Sequence, residues 1–277
     1  MSKRDRISKI FSEIGVALST LVMMIPIYYF LISAFKARKD IIKFPLVINR
    51  ELFTMDNFPY VIKKIQYWKA LGNTAFITAM ALFIVIICAS LAGFAIARIK
   101  SRGFSTYYKL IVTLMVIPFI GCLLPLVTIA TKLKLYDSIW GCIVIQAAWN
   151  MPFAVFLYTG FMGSLPGELE EAAYIDGSSV FGVYARVFLP LLAPVTATCA
   201  IRQGTGIWND YLVSRSLLNE NKLPTLMVGI NAFNGQRGQE LGYIMTGVLL
   251  VSIPMIILFL CLQKYFIKGI AAGAVKG

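Results

Sequence analysis

The chain has 277 residues, of which 58% are hydrophobic and only 14% are charged. This balance excludes a soluble domain, whose solvated surface requires about 25% charged residues. A net charge of +13 would favour nucleic acid as the partner of a soluble protein, but here the cations flank apolar segments, close to anionic lipid headgroups. Composition therefore predicts an all-α, polytopic membrane protein that contacts lipid and binds no nucleic acid.

A helix needs about 20 apolar residues to cross the hydrocarbon core of a membrane. Six segments meet this requirement and are predicted as transmembrane helices: 14–35, 71–97, 110–131, 139–162, 190–213 and 243–263. An even number of spans places both termini on the same side. The cations are distributed almost evenly between the two sides, so the positive-inside rule does not decide which side is cytosolic.

The first connection between these spans is long, and the next two are short. The connection at 36–69 mixes cations with aromatic residues, and part of it is predicted to be a short amphipathic helix at the membrane interface. The connection at 98–109 contains Gly103 and is short enough for a tight turn. No low-complexity linker divides the chain, so we expect one transmembrane domain over 1–277.

Residue types that perform catalysis or bind metals are scarce. The chain has no histidine, and its five cysteines lie in apolar segments without paired spacing. The Gly-x4-Gly-Lys-Ser/Thr loop that binds nucleotide phosphates is also missing from the sequence. We therefore predict no catalytic residue, no metal site and no cofactor bound by this chain.

The connection at 164–189 is unusually acidic for this chain. Proline is tolerated in the first turn of a helix, and acidic residues just after it complement the positive end of the helix dipole. A short helix is therefore predicted from Pro166 to Ile175, with acids at Glu168, Glu170 and Glu171. These residues alone fit a docking element and a solvated loop without a partner equally well.

A turn and a second short helix are predicted to follow. Gly177 suits the left-handed conformation that ends many helices, and Ser178 or Ser179 can cap the next helix. One apolar stripe is predicted on this second helix from residues at helical spacing, namely Val180, Val183, Tyr184 and Val187. The prediction is a helix, a turn and a helix that lie parallel to the membrane.

This acidic segment resembles the EAA motif of the membrane subunits of ATP-binding-cassette importers. That motif is Glu-Ala-Ala, three residues, Gly, nine residues, Ile, one residue and Leu-Pro. The corresponding residues here are Glu171-Ala172-Ala173, Gly177, Val187 in place of isoleucine, and Leu189-Pro190. The resemblance extends over most of the chain. The segment 208–212 resembles a motif of the carbohydrate branch, and 263–277 resembles the end of its maltose-type second permease.

The resemblance implies a type I importer fold in a bacterial inner membrane, with both termini and a coupling helix in the cytosol. It implies three kinds of partner: a second permease that forms a heterodimer with this chain, two ATPase subunits that use ATP and Mg²⁺, and an extracellular solute-binding protein. The expected cargo is a sugar or a related solute, with a neutral oligosaccharide expected first. The residues implied to contact the ATPases are Glu170, Glu171, Ala172, Ala173, Asp176 and Gly177.

Polar residues in the fifth predicted span are candidates for the substrate path. Arg202 and Gln203 stand out in this span. Arg202 departs from the apolar residues usual in the resembled family, and an ionisable residue at membrane depth normally faces the bundle interior or water. Arg202 either lines a cavity, where it would bind sugar hydroxyls or an anionic sugar, or forms a structural pair with Asp210. Asn209 and Asp210 either contact substrate or hold the end of the span.

An ion-coupled secondary transporter is the main alternative function. Such a transporter uses buried carboxylates or histidines as relays. Only one acid, Asp210, falls within a predicted span, and it lies near the end of that span. The sequence therefore favours a transporter that is driven by separate ATPase subunits.

Overall fold

The computed structural model describes residues 3–99, 101–235 and 240–274. Within these ranges every regular element is a helix. The α-helices are α1 (Lys3–Ser33), α2 (Arg38–Lys43), α3 (Asn57–Lys64), α4 (Tyr67–Arg98), α5 (Arg102–Leu114), α6 (Phe119–Lys132), α7 (Ile139–Gly163), α8 (Glu168–Ile175), α9 (Val180–Val183), α10 (Leu189–Leu191), α11 (Ala193–Trp208), α12 (Leu212–Leu217), α13 (Leu226–Asn231) and α14 (Leu241–Ala274). A 3₁₀-helix covers Arg50–Leu52, and a π-helix covers Tyr184–Phe188. Part of the predicted C-terminal motif, 275–277, lies outside the described residues.

Four helices in the described part of the chain are individually long and apolar enough to cross a membrane. They are Ser12–Ser33 within α1, all of α4, all of α7, and Leu241–Cys261 within α14. Two further spans are bent pairs: α5 with α6, bent by 107°, and the segment from α9 to α10 with α11, bent by 70°. Counting each bent pair as one span gives six, the number predicted from hydropathy.

The span predicted at 110–131 is wrong as a single helix. α5 begins within the connection 98–109, which was expected to be a tight turn, and it ends before Pro118. Proline disfavours helical backbone at the residue before it, here Ile117, and it has no N–H to donate to the previous turn. The chain therefore breaks between α5 and α6 and changes direction there.

Contact density divides the chain into two compact units, Met1–Tyr67 with Gly229–Ile253, and Trp68–Val228 with Pro254–Gly277. In the first unit, the carbonyl groups at the end of α1 receive side-chain donors. The Ala34 carbonyl accepts hydrogen bonds from Asn57 Nδ2 at 3.2 Å and from Thr246 Oγ1 at 2.7 Å. These bonds satisfy a carbonyl that a helix end leaves without an intrahelical partner.

The connection predicted at 36–69 belongs to this first unit and contains α2, the 3₁₀-helix and α3. Lys36 is buried, and its Nζ donates a hydrogen bond to the Phe44 carbonyl at 2.8 Å. Burial lowers the pKa of Lys36, because a charged ammonium group loses its hydration there. The interfacial position predicted for this connection stays a prediction.

In the second unit, α4 and α7 approach each other closely. A Cβ atom added at Gly93 would lie 2.7 Å from the Cβ of Tyr158, which is too close for a side chain. Tyr158 is fully buried, and its hydroxyl forms a 2.8 Å hydrogen bond with Thr196 on α11. The close approach at Gly93 brings the C-terminal end of α4 beside the C-terminal end of α7.

Candidate functional site

The first helix of the acidic connection, α8, has well-defined ends. Its first turn carries the three predicted acids, which complement the helix dipole. At the other end, the N–H of Ser178 bonds the carbonyl of Ala173 at 2.9 Å, and the N–H of Gly177 bonds the carbonyl of Tyr174 at 3.0 Å. This is a Schellman motif, and Gly177 has the left-handed φ of +78° that the motif requires.

The second helix starts as the sequence predicts but changes its register. Ser179 caps α9, since its hydroxyl accepts a hydrogen bond from the N–H of Gly182 at 3.2 Å. The π-helix follows, in which the N–H of Leu189 bonds the carbonyl of Tyr184, five residues earlier. Pro190 has no N–H for the usual bond to the residue four positions before it, and the π-helix provides a different bonding pattern at this point.

The change of register modifies the predicted apolar stripe. Val183 and Tyr184 are buried, as the stripe requires, but Val180 is 49% exposed and Val187 is only partly buried. Phe188, one residue beyond the predicted stripe, is fully buried instead. The wider π-turn explains this shift, because it advances the buried face by one residue.

Arg98, the last residue of α4, anchors the acidic segment. Its Nη2 donates hydrogen bonds to the carbonyls of Met162, in the last turn of α7, and Leu165, just beyond the end of α7, the latter at 2.8 Å. Its guanidinium carbon lies 4.8 Å from the ring centroid of Phe188, within the range of a cation–π contact. One side chain therefore joins α4, α7 and the π-helix.

Arg98 also forms an ion pair with α8. Its Nε lies 3.7 Å from Oε2 of Glu170, which is too far for a hydrogen bond. Neither atom has another hydrogen-bond partner, and the side chains are only 11% and 23% exposed. In sequence Arg98 was only one of several cations in a connection, and nothing there indicated that it contacts Glu170.

The six residues implied to contact the ATPases do not all face outward. Glu170 is partly buried beside Arg98, and Ala173 is buried in the core. The other four are exposed, namely Glu171, Ala172, Asp176 and Gly177.

Large apolar side chains accompany these exposed residues. Ile175 is 87% exposed and Phe181 is 69% exposed, and Tyr174 is also exposed. We call Glu171, Ala172, Tyr174, Ile175 and Phe181 the α8–α9 surface. Exposed apolar groups of this size beside polar residues are typical of a surface that contacts another protein or the membrane. Sequence reasoning missed Ile175 and Phe181, although both stand out as large apolar residues next to the turn.

A cavity of about 430 Å³ lies in the same unit, next to the break between α5 and α6. Its wall includes Met115 from the break, Trp149 and Phe153 from α7, and Arg202 and Gln203 from α11. Two of the four residues predicted for the substrate path, Arg202 and Gln203, therefore line one cavity.

The two neighbours in the cavity wall differ in exposure. Gln203 is buried, and its Nε2 donates a 2.8 Å hydrogen bond to the Asn150 carbonyl. Arg202 is exposed, and its guanidinium carbon lies 5.8 Å from the ring centroid of Phe153. Gln203 thus connects α11 to α7, whereas Arg202 presents its charge to the cavity.

Asn209 and Asp210 do not belong to the wall of this cavity. Asp210 accepts hydrogen bonds from the N–H groups of Val213 and Ser214, and from the Ser214 hydroxyl at 2.8 Å. Asp210 therefore holds the start of α12. No ion pair joins it to Arg202 among the described residues. Within the same described ranges, no cluster of three His, Cys, Asp or Glu residues could hold a metal ion.

Comparisons with known proteins agree with this architecture. The melibiose/raffinose/stachyose import permease protein MelC of Bacillus subtilis is 34% identical over 258 residues, which is 91% of each chain. The arabinooligosaccharides transport system permease protein AraQ of Halalkalibacterium halodurans is 30% identical over 95% of each chain. The crystal structure of a bacterial ABC transporter involved in the import of the acidic polysaccharide alginate contains a chain with the same fold. That chain has a TM-score of 0.77 and 21% identity over 96% of this chain and 99% of its own length.

A family model matches residues 86–272, a range that contains the α8–α9 surface and the residues that line the cavity. Its description is "Binding-protein-dependent transport system inner membrane component". The match covers more than half of the chain, and the two permeases above are at least 30% identical over nearly their full length. The chain therefore belongs to the family of inner membrane components of binding-protein-dependent transport systems.

Proposed function

We propose that this chain is the transmembrane subunit of an ATP-driven sugar importer and that the α8–α9 surface binds a separate ATPase subunit. The observation that carries the proposal is the exposure of Ile175 and Phe181 on a segment that Arg98 holds firmly against two long helices. A solvated loop without a partner would gain nothing from exposing these apolar side chains. A sugar cargo is supported by the names of the related permeases MelC and AraQ.

The assembly we propose has four further subunits. A second permease completes the translocation path, two ATPase copies bind and hydrolyse ATP with Mg²⁺, and an extracellular solute-binding protein delivers the sugar. The α8–α9 surface and both termini then lie in the cytosol. This chain performs no hydrolysis itself and transmits movement between the ATPases and the path.

The contacts of Arg98 suggest how movement reaches the cavity. When the ATPases close on ATP, the α8–α9 surface moves with them, and Arg98 transmits the displacement to the ends of α4 and α7. Met162, at the Arg98 end of α7, is separated from Trp149 in the cavity wall by about 20 Å of helix. The π-helix leads through α10 to α11, which carries Arg202. Rigid-body movement of these helices would open the cavity to alternate sides of the membrane.

Reconstituted transport tests this proposal. The chain is purified with its second permease and ATPase subunits, placed in liposomes and supplied with the solute-binding protein and labelled raffinose, arabinotriose or trigalacturonate. We expect uptake of a sugar that requires ATP on the ATPase side and persists when ionophores remove all ion gradients.

A charge reversal adds a test of the docking surface. We expect Glu171→Lys to reduce the amount of co-purified ATPase by about tenfold, the effect of one lost contact worth about 1.4 kcal/mol. The matched control is Glu51→Lys, at an exposed glutamate in the first unit, and it should have no effect.

In the transport assay described above, uptake driven by an ion gradient without ATP would contradict the proposal and favour a secondary transporter.

A further inference from the structure

Among the described residues of the cavity wall, Arg202 is the only one that carries a charge. None of these residues is acidic, and the described part of the chain provides no hydrogen-bond acceptor for the guanidinium group of Arg202. An unpaired cation in a membrane span is costly unless it meets water or an anion. The cavity therefore carries an uncompensated positive charge.

Several backbone groups around the cavity lack the hydrogen bonds of a regular helix. Met115 and Ile117 line the cavity from the break between α5 and α6, and irregular backbone at membrane depth is tolerated only where it is buried in protein or lines a water-filled cavity. Pro152 has no N–H, so the carbonyl of Ala148, which also lines the cavity, lacks its usual helical donor. Broken helices of this kind form the binding sites of many transporters.

The remaining wall suits a sugar ring. The volume of about 430 Å³ falls within the range of small-molecule sites, about 300–1,000 Å³. Trp149 and Phe153 are the aromatic residues that line this wall, and Phe153 lies under the guanidinium group of Arg202. Arg202 can therefore bind an anion on its free edge while the aromatic rings contact an apolar face of the ligand.

We propose that this cavity binds a carbohydrate that bears an anionic group, a carboxylate or a phosphate, which pairs with the guanidinium group of Arg202. The inference rests on the function proposed above and replaces the neutral oligosaccharide that was expected first. Arginine fits either anion, because its planar donors form two parallel hydrogen bonds with both.

Binding to the whole importer tests the inference without the solute-binding protein, which has its own selectivity. The importer is held in nanodiscs of phosphatidylcholine, and binding is measured for three probes: trigalacturonate, glucose 6-phosphate and neutral raffinose. We expect one acidic probe to bind at least about tenfold more tightly than raffinose, as one charge-assisted contact allows. Which acidic probe binds distinguishes a carboxylate from a phosphate.

Variants test whether Arg202 causes the preference for the acidic probe over raffinose. Arg202→Gln should remove the preference for the acidic probe and leave raffinose binding within about twofold, while Arg202→Lys should retain part of the preference. The control Arg215→Gln removes an exposed arginine that pairs with Glu220 and should change neither value. High salt should weaken binding of the acidic probe more than binding of raffinose.

Four results would overturn the inference. Equal binding of acidic and neutral probes by the wild-type importer would do so, as would an acidic preference that persists in Arg202→Gln. If the second permease no longer co-purifies with Arg202→Gln, Arg202 pairs with a carboxylate of that permease and not with a ligand. If an anionic lipid co-purifies only with the wild type, Arg202 pairs with a lipid headgroup. If the wild type still imports a sugar with ATP, the proposed function stands while this inference fails.

Discussion

Arg98→Met is expected to lower ATP-driven uptake by at least tenfold and to reduce the thermal stability of the assembled importer. The substitution removes the hydrogen bonds to the carbonyls of Met162 and Leu165, and it leaves Glu170 partly buried without its cation. Hydrogen bonds to charged groups contribute about 1.5–3 kcal/mol each, so the expected loss is about 3 kcal/mol or more. Uptake into liposomes and thermal unfolding of the purified complex measure the two effects.

Two further variants separate anchoring from charge. Arg98→Lys keeps the positive charge, but a lysine ammonium group lacks the planar set of donors with which arginine bonds several acceptors at once. We therefore expect uptake between that of the wild type and that of Arg98→Met. Arg102→Met removes an exposed arginine at the start of α5 and should behave as wild type. Normal uptake and stability in Arg98→Met would show that this side chain does not anchor α8 and that movement reaches the cavity by another route.

Gly177→Val is expected to release most of the bound ATPase, because it changes the turn that orients α8 relative to α9. The φ of +78° costs an ordinary L-residue about 1–2 kcal/mol, and a β-branched residue more. Nothing lies within 4 Å of the Cβ position, so the effect comes from the backbone and not from a clash. The amount of ATPase that co-purifies with the chain should fall by about tenfold.

One control variant changes Gly177 itself, and a second changes another glycine in the same connection. Gly177→Asn should be much milder, since asparagine tolerates the left-handed conformation. Gly167→Ala should be neutral, because Gly167 has an ordinary φ of −69° and open space around it. Equal loss of ATPase in Gly177→Asn and Gly177→Val would mean that the side chain, and not the backbone, matters at this position.

Much of the acidic segment is predictable because its signals are local. The acids of the first turn, the glycine of the Schellman motif and the Ser179 cap each act over five residues or fewer, so their spacing in the sequence indicates the helix ends. The contact between Arg98 and Glu170 depends instead on the packing of α4 against α7. That packing depends on the close approach at Gly93, whose partner a single sequence does not reveal.

The membrane spans are likewise only partly predictable from the sequence. Hydropathy averaged over a window identifies six apolar segments, but it is insensitive to a change of direction within one of them. Pro118 lies within the span predicted at 110–131, and its backbone restriction on Ile117 causes a break that lines the cavity. Asp210 was placed near the end of a span, yet it caps α12 because the chain leaves α11 at Trp208.

Cross-linking from Ile175 tests most directly whether the α8–α9 surface binds an ATPase. A photoreactive phenylalanine analogue is incorporated at this position in the assembled importer, and a second variant carries it at Ile42, which is 64% exposed in the first unit. Illumination should join the chain to an ATPase subunit from position 175 and not from position 42. An absence of ATPase adducts from position 175 in a complex that still hydrolyses ATP, or equal adducts from both positions, would contradict the account.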